Sequence, residues 1–159
     1  MLAVVQRVSR ASVRVAPDYE ASIDWGLLIL VGVGREDDDR DADWLAEKCA
    51  SLRIFNDSDG KMNRGLDAVG GAALVISQFT LWGDCEKGRR PSFIRAAEPA
   101  DGERLYERFA DRLAETGVPV RRGIFGAMMQ VELVNDGPVT LIVDSGPWKR
   151  RRFGGTERS

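Results

Sequence analysis

LVISQFTLWGD, residues 74–84, decides how this chain of 159 residues is read. Leu74, Val75 and Ile76 form the short unbroken apolar run of a fully covered strand, starting after a Gly70–Gly71 break. Ser77, Gln78, Phe79 and Thr80 interrupt that run, and Leu81–Trp82 restores it. Two hydroxyls and an amide inside a core-type strand are costly unless hydrogen-bonded. Either the strand leaves its sheet here and nearby backbone satisfies Ser77 and Thr80, or the polar residues serve a site. A second anomalous run, LVNDGPVTLIV at 133–143, has a Gly-Pro step where an apolar strand or hairpin should continue. Two apolar strands, each broken by a short polar or backbone-special insert, point to a site built from both.

Around these runs the pattern is one of strands, helix, strand, helix, strands. Leu2–Arg10 alternates as a half-buried strand does, with Ser12–Val15 as its hairpin partner and Ile23 on a return strand. WGLLILVGV at 25–33 is continuous enough to be covered on both faces. From Asp39 the period changes: an acidic start, then Leu45, Ala46, Cys49 and Leu52 at helical spacing, predict a helix ending near Arg53–Phe55. NDSDGKMNR at 56–64 is a polar turn with Gly60 at its tip, and its carboxylates lack calcium-loop spacing. Pro99–Gly102 opens a second helix, carrying Leu105, Phe109 and Leu113 on one face and stopping at Gly117. Val118–Arg121, Met128–Val134 and Val139–Val143 are the last strands. The economical packing is a single compact α/β domain over residues 1–145, with mixed, mostly antiparallel sheet layers and two helices on one side. Residues 146–159 read as a flexible basic tail.

Composition narrows the chemistry. A content of 43% hydrophobic and 30% charged residues is that of a globular domain, and no apolar run approaches a membrane span, so a cytoplasmic protein is expected. There is no histidine, which excludes Ser-His and Cys-His nucleophiles and histidine-ligated metals. Cys49 falls on a helix face and Cys85 in a loop, with no metal spacing around either. Neither a metal nor a cofactor is expected. The net charge of −2 hides an asymmetry: the segment from Ser145 onward carries +4 and the remainder −6. A second basic cluster, Lys87, Arg89, Arg90 and Arg95, directly follows the opening stretch, which suits either a solvated loop or an anionic ligand such as RNA phosphate.

SQFTL at 77–81 and NDGPVT at 135–140, with AVVQRVSRASV, LRIFND, DGKMN, KGRRPSF and MQVELVNDGPVT in order along the chain, resemble the D-aminoacyl-tRNA deacylases. The likeness covers essentially all of residues 1–145; Trp82 stands where the family pattern has Tyr, and the basic tail lies outside it. The resemblance implies an enzyme that hydrolyses the ester joining a D-amino acid, or mischarged glycine, to the 3′ end of tRNA. It implies a homodimer whose shared site takes SQFT from one subunit and a cis Gly-Pro from the other, with L-aminoacyl-tRNA refused by that motif. Ser77, Gln78, Phe79 and Thr80 are then the catalytic group, and Gly137, Pro138, Phe125 and Arg7 the substrate-binding one.

Without histidine, water attack is most simply served by backbone N–H groups that hold the oxyanion, and those of Phe79 and Thr80 are the candidates. Ser77 and Gln78 fit the positioning of the terminal ribose or ester. Thr80 as a covalent nucleophile has no evident base, so a positioned water assisted by the substrate's 2′-hydroxyl is preferred. Phe79 and Phe125 either stack on the terminal adenine or belong to the core. Arg7, on a half-buried strand, suits a clamp on the Gly-Pro motif. The rival readings are a non-catalytic RNA-binding dimer and a related hydrolase acting on another acyl-tRNA.

Overall fold

In the computed structural model, which describes residues 1–147, one long strand organises the sheet. β1 (Leu2–Val15) is unbroken, so Ser12–Val15 is its second half and not a hairpin partner. Alternate burial continues through Ala11 and Val13, and the chain turns at residues 16–18, where Pro17 has no N–H to extend a ladder. β2 (Tyr19–Ile23) folds back on this half, Ala11 opposite Ile23. β3 (Gly26–Gly32) runs antiparallel along the first half, from Leu2–Gly32 to Val8–Gly26. The other edge of β1 is taken by β8 (Gln130–Asp144), antiparallel from Leu2–Asp144 to Arg14–Gln130. Beyond β3 lie β6 (Ala72–Ser77) and β7 (Val120–Arg122), both parallel to their neighbours. The sheet is mixed, as expected.

β8 corrects a second expectation. Instead of two strands separated by the Gly-Pro step, it is one strand of 15 residues with a bulge. Pairing passes from Gln6–Thr140 to Val8–Asn135, so Asp136–Val139 is looped out against Arg7. The Asn135 side chain repairs the gap: its Nδ2 donates to the carbonyls of Arg7 (2.9 Å) and Val139 (3.0 Å). A side-chain amide thus replaces the ladder bonds that the bulge removes.

Both helices pack on one face of the sheet. α1 (Asp39–Ala50) starts with a capping box in which Asp38 and Asp41 satisfy each other's backbone N–H groups. α2 (Pro99–Glu115) has proline in its first turn and stops before Gly117, at φ +90°. Leu45, Cys49, Tyr106, Phe109 and Leu113 from the helices meet Ala3, Val5, Leu27, Ile29, Val31, Ala73 and Val75 from the strands. The buried Tyr106 hydroxyl donates to the Val75 carbonyl at 2.9 Å. On the outer surface the helices are laced by carboxylate–guanidinium pairs: Asp39 with Arg104 and Arg108, Asp43 with Arg108, Glu47 with Arg112.

The opposite face also carries a core. Val8, Val13, Leu28, Leu74 and Ile76 pack with Ile23 of β2, Met129 just before β8 and Leu133 within it. Double coverage of β3 and β6 explains their unbroken apolar sequences. A small hairpin, β4 (Phe55–Asn56) and β5 (Met62–Arg64), carries the polar turn at its tip. Cys49 is buried and Cys85 exposed, as read. Ser145 is wholly buried: its hydroxyl contacts the Met1 amino group (2.6 Å) and Asp41 Oδ1 (2.7 Å). Residues 145–147 are helical, and 148–159, most of the expected tail, lie outside the described residues.

Candidate functional site

β6 ends at Ser77, and its polar continuation turns instead of extending. The Gln78 N–H still reaches across to the Val31 carbonyl (2.8 Å), the last link to β3. Phe79–Trp82 then wind into a single 3-10 turn, closed by Leu81 N–H to Gln78 O (3.2 Å) and Gly83 N–H to Thr80 O (3.0 Å). As the first residues of that turn, Phe79 and Thr80 have N–H groups with no carbonyl behind them in the turn pattern. The side chains of Gln78 and Thr80 hydrogen-bond, Nε2 to Oγ1. Thr80 and Phe79 are exposed, Ser77 and Gln78 half-buried.

The turn lies where it does because β3 ends in glycines. A Cβ on Gly32 would sit 3.0 Å from the Gln78 carbonyl oxygen and 3.0 Å from Leu81 Cβ. A Cβ on Gly34 would meet Trp82 Cζ2 at 2.6 Å. These two positions let the turn fold down on the β3 end, and VGVG at 31–34 was the sequence signal for it. Trp82, unusual for the family pattern, stacks under the Arg95 guanidinium at 5.1 Å.

The second insert is held by Arg7, which is buried. Its Nε donates to the Asp136 carbonyl (3.0 Å) and faces the Asp136 carboxylate (3.1 Å); Nη1 donates to Ile54 O (2.7 Å) and Asn56 Oδ1 (3.2 Å). The guanidinium therefore ties the bulge to the chain entering β4. Gly137 has φ +137°, and a Cβ there would lie 2.7 Å from Val139 Cγ2 and 3.2 Å from Arg7 Nη2, so no larger residue fits. The Gly137–Pro138 bond is cis, as is Ala16–Pro17. Residue type alone did not single out Asn56, Asn135 and Asp136, whose functions are local hydrogen bonds to Arg7 and the bulge.

Phe125 and Phe79 separate. Phe125 packs on the core, with its ring 6.0 Å from Tyr106, just beyond the link from Gly123 N–H to Val75 O, two residues before Ser77. Phe79 is 57% exposed and touches Phe93 edge-on, centroids 5.1 Å apart. Within one chain the two inserts do not meet. Ser77 pairs with Val31 on β3 and Val31 with Ala3 on β1, whereas the bulge on β8 faces Arg7, which places Gly137–Pro138 three strand spacings across, roughly 14 Å, and four residues along the sheet, about 13 Å. Two surface concavities of about 570 and 520 Å³ lie elsewhere, one behind the C-terminal ends of the helices and one at the β1–β2 turn. Among the described residues no three His, Cys, Asp or Glu side chains cluster as metal ligands, and no helix is long and apolar enough to cross a membrane.

Known proteins match this chain along nearly its whole length. The family described as D-Tyr-tRNA(Tyr) deacylase matches residues 4–144. D-aminoacyl-tRNA deacylases of Thermus aquaticus and Geobacter sulfurreducens are each 57% identical over 145 residues, covering 91% of this chain and 95% of each relative. That of Symbiobacterium thermophilum is 56% identical over 143 residues, 90% of this chain and 95% of the relative. Among solved structures, the c-Myc DNA Unwinding Element Binding Protein superposes with a TM-score of 0.85 at 38% identity, covering 91% of this chain and 99% of that one. A probable eukaryotic D-amino acid tRNA deacylase shares the fold, with a TM-score of 0.76 at 17% identity over 89% of this chain and 97% of its own.

Proposed function

Because this chain belongs to the D-Tyr-tRNA(Tyr) deacylase family, we propose that it is a hydrolase cleaving D-aminoacyl-tRNA, with glycyl-tRNA as a second substrate and L-aminoacyl-tRNA refused. The observation that carries the reading is the turn at Phe79–Trp82, whose first two residues are exposed at the end of a buried strand and have N–H groups with no carbonyl partner in the turn pattern. Water adds to the ester carbonyl, the carbonyl oxygen becomes an oxyanion, and those N–H groups stabilise it without any titratable side chain. The C–O bond to the ribose then breaks, the ribose oxygen takes a proton, and free amino acid and tRNA leave. The substrate's 2′-hydroxyl assists the water. Gln78 orients Thr80, whose hydroxyl, with that of Ser77, positions the terminal ribose and ester. Phe79 is the better placed of the two aromatics to stack on the terminal adenine, because Phe125 is engaged with Tyr106.

Handedness is assigned to the backbone of Gly137 and Pro138. Attraction separates mirror-related esters poorly, whereas a clash with rigid groups rejects one hand. Arg7 and Asn135 hold this segment from both sides, and proline fixes its own φ. Its carbonyls accept from the ammonium of the D-substrate, and an L side chain is driven into the backbone. Glycine has no side chain to exclude.

The wedge comes from a second copy of the chain, in a homodimer with shared sites. The three-strand separation within one chain favours this arrangement, as does the free edge of β8, where Val131, Val134, Leu141 and Ile142 are exposed. Such an enzyme works where charged tRNA is made, in the cytoplasm.

Matched D-, L- and glycyl-tRNA, incubated with the protein, test the reading. Release from the D and glycyl esters alone is expected; equal release from both hands, or none, overturns it. The second outcome would leave a nucleic-acid-binding protein, as the name of the 38% identical structure states for that protein.

A further inference from the structure

Resting on the deacylase reading, we propose that the tip of the 84–92 loop, Lys87 to Arg90, docks the phosphate backbone of the tRNA acceptor end and acts apart from the chemistry. The loop is a closed structure. Asp84 and Ser92 exchange both backbone hydrogen bonds, N–H to O at 2.8 and 2.9 Å, and the Asp84 carboxylate caps the Glu86 N–H at 2.9 Å. Gly88 turns the tip at φ +71°, with no atom within 4 Å of where a Cβ would stand. The tip therefore projects into open solvent.

Its cations are distinguished by how closely they cluster. Arg14, Arg35, Arg40, Arg104, Arg108, Arg112 and Arg122 each face a carboxylate within 4 Å, as does the buried Arg7. Lys87, Arg89 and Arg90 are exposed and form no ion pair among the described residues. Arg10, Arg53, Arg64, Arg95 and Arg121 also lack an ion pair among the described residues, but only at this tip do three such cations fall within four residues. Guanidinium forks free of carboxylate suit phosphate oxygens.

The loop's base is fixed to the site. Phe93, just after the closing pair, meets Phe79 edge-on, and Arg95 lies over Trp82 of the same turn. Gly83 is tightly packed between Phe93 and the turn, since a Cβ there would lie 3.0 Å from both Phe93 Cε1 and the Thr80 carbonyl oxygen. The basic tip thus stands at a set offset from Thr80. Four residues separate Asp84 from Gly88, a reach of at most about 13 Å that the bends at 86–90 shorten, against roughly 3.4 Å of rise per nucleotide along a strand. That span puts the tip over nucleotides preceding the terminal adenosine and away from the ester.

The test is Arg89→Gln combined with Arg90→Gln, with Arg121→Gln, an exposed cation on β7, as the control for general charge loss. Deacylation is followed on whole D-aminoacyl-tRNA over a salt series and on D-aminoacyl-adenosine, which has no phosphate. On whole tRNA we expect a raised KM, kcat held at saturation, and a plot of log(kcat/KM) against log[salt] that is shallower by about 1.4–1.8, two phosphate contacts' worth. Rates on the adenosine ester stay at the wild-type value, and Arg121→Gln changes neither readout. An unchanged salt slope overturns the proposal. So does an equal loss on the adenosine ester, which would show that the loop only props Phe79. If the wild type cleaves neither ester, the deacylase reading fails, and binding of uncharged tRNA with its salt slope still decides the loop.

Discussion

Replacing Arg7 by methionine removes the group that joins the Gly137–Pro138 bulge to the chain entering β4, and its effect can be worked from four contacts. Methionine keeps much of the apolar stem, so the loss is chiefly that of the guanidinium. The carbonyls of Ile54 and Asp136 and the Asn56 side-chain oxygen lose a charged donor. A hydrogen bond to a charged group contributes ~1.5–3 kcal/mol, and removing one member of a buried charged arrangement costs about 3–5 kcal/mol in total. The Asp136 carboxylate is 45% exposed, so water takes over that contact and little is counted for it. We expect a loss of ~3–4 kcal/mol, a large share of the ~5–15 kcal/mol that holds a domain of this kind together. At a slope of ~2 kcal/mol/M the urea midpoint falls by roughly 1.5–2 M. Tryptophan fluorescence reports the transition, because the chain has four tryptophans. Arg7→Lys keeps the charge but cannot serve Asp136 and Ile54 together, and should lose about half as much. Under conditions where both variants are folded, D-substrate kcat/KM should fall further for methionine than for lysine. A methionine variant with an unmoved midpoint would refute the account, since the bulge would then hold itself.

Thr80→Ala should slow deacylation without abolishing it; a trapped acyl-Thr80 ester, or a loss of ~10⁴-fold with binding intact, would make Thr80 the nucleophile. Iodoacetamide at mildly alkaline pH should alkylate Cys85 and spare Cys49, whose thiol is pushed up to about 12 by burial; mass spectrometry of the native and urea-unfolded protein separates the two. The Arg104 hydrogen bond holds the Asp39 carboxyl below its ordinary value of 3.8. The stabilisation from that pair is therefore present above the ordinary value and lost as pH falls through the lowered one, and Asp39→Asn should flatten this part of the acid unfolding curve.

The elements that the sequence made legible are those whose partners are covered on both faces or capped locally. WGLLILVGV put β3 in its place, and the acidic start put the beginning of α1 at Asp39, although that helix ends at Ala50, short of the Arg53–Phe55 expected, where Phe55 opens β4. The misreadings share a cause. Ser12–Val15 and the two halves of β8 seemed to be separate strands because polar residues and a Gly-Pro step broke the alternation. Each run stays continuous through distant partners: β8 supports the whole of β1, and the Asn135 amide bridges the bulge. Such long-range bonds leave no mark in local periodicity. The polar residues of the site were visible because they violated a pattern, whereas Asn56 and Gly34 obeyed theirs and passed unnoticed. Ser145, grouped with the charged tail by composition, is buried by contact with residues at the other end of the chain.

The pairing of β1 with β8 has a consequence for the order in which the molecule is made. β1 is synthesised before every other strand of the sheet, and β8 after all of them. At ~5–20 residues per second, β1 waits several seconds or more with one edge open, while β2 and β3 are already available on the other. The sheet therefore closes from one side during synthesis, and the seam with β8 is the last of its pairings to form. That seam carries Gly137–Pro138, so the element proposed to judge the substrate's hand is also the last to be assembled.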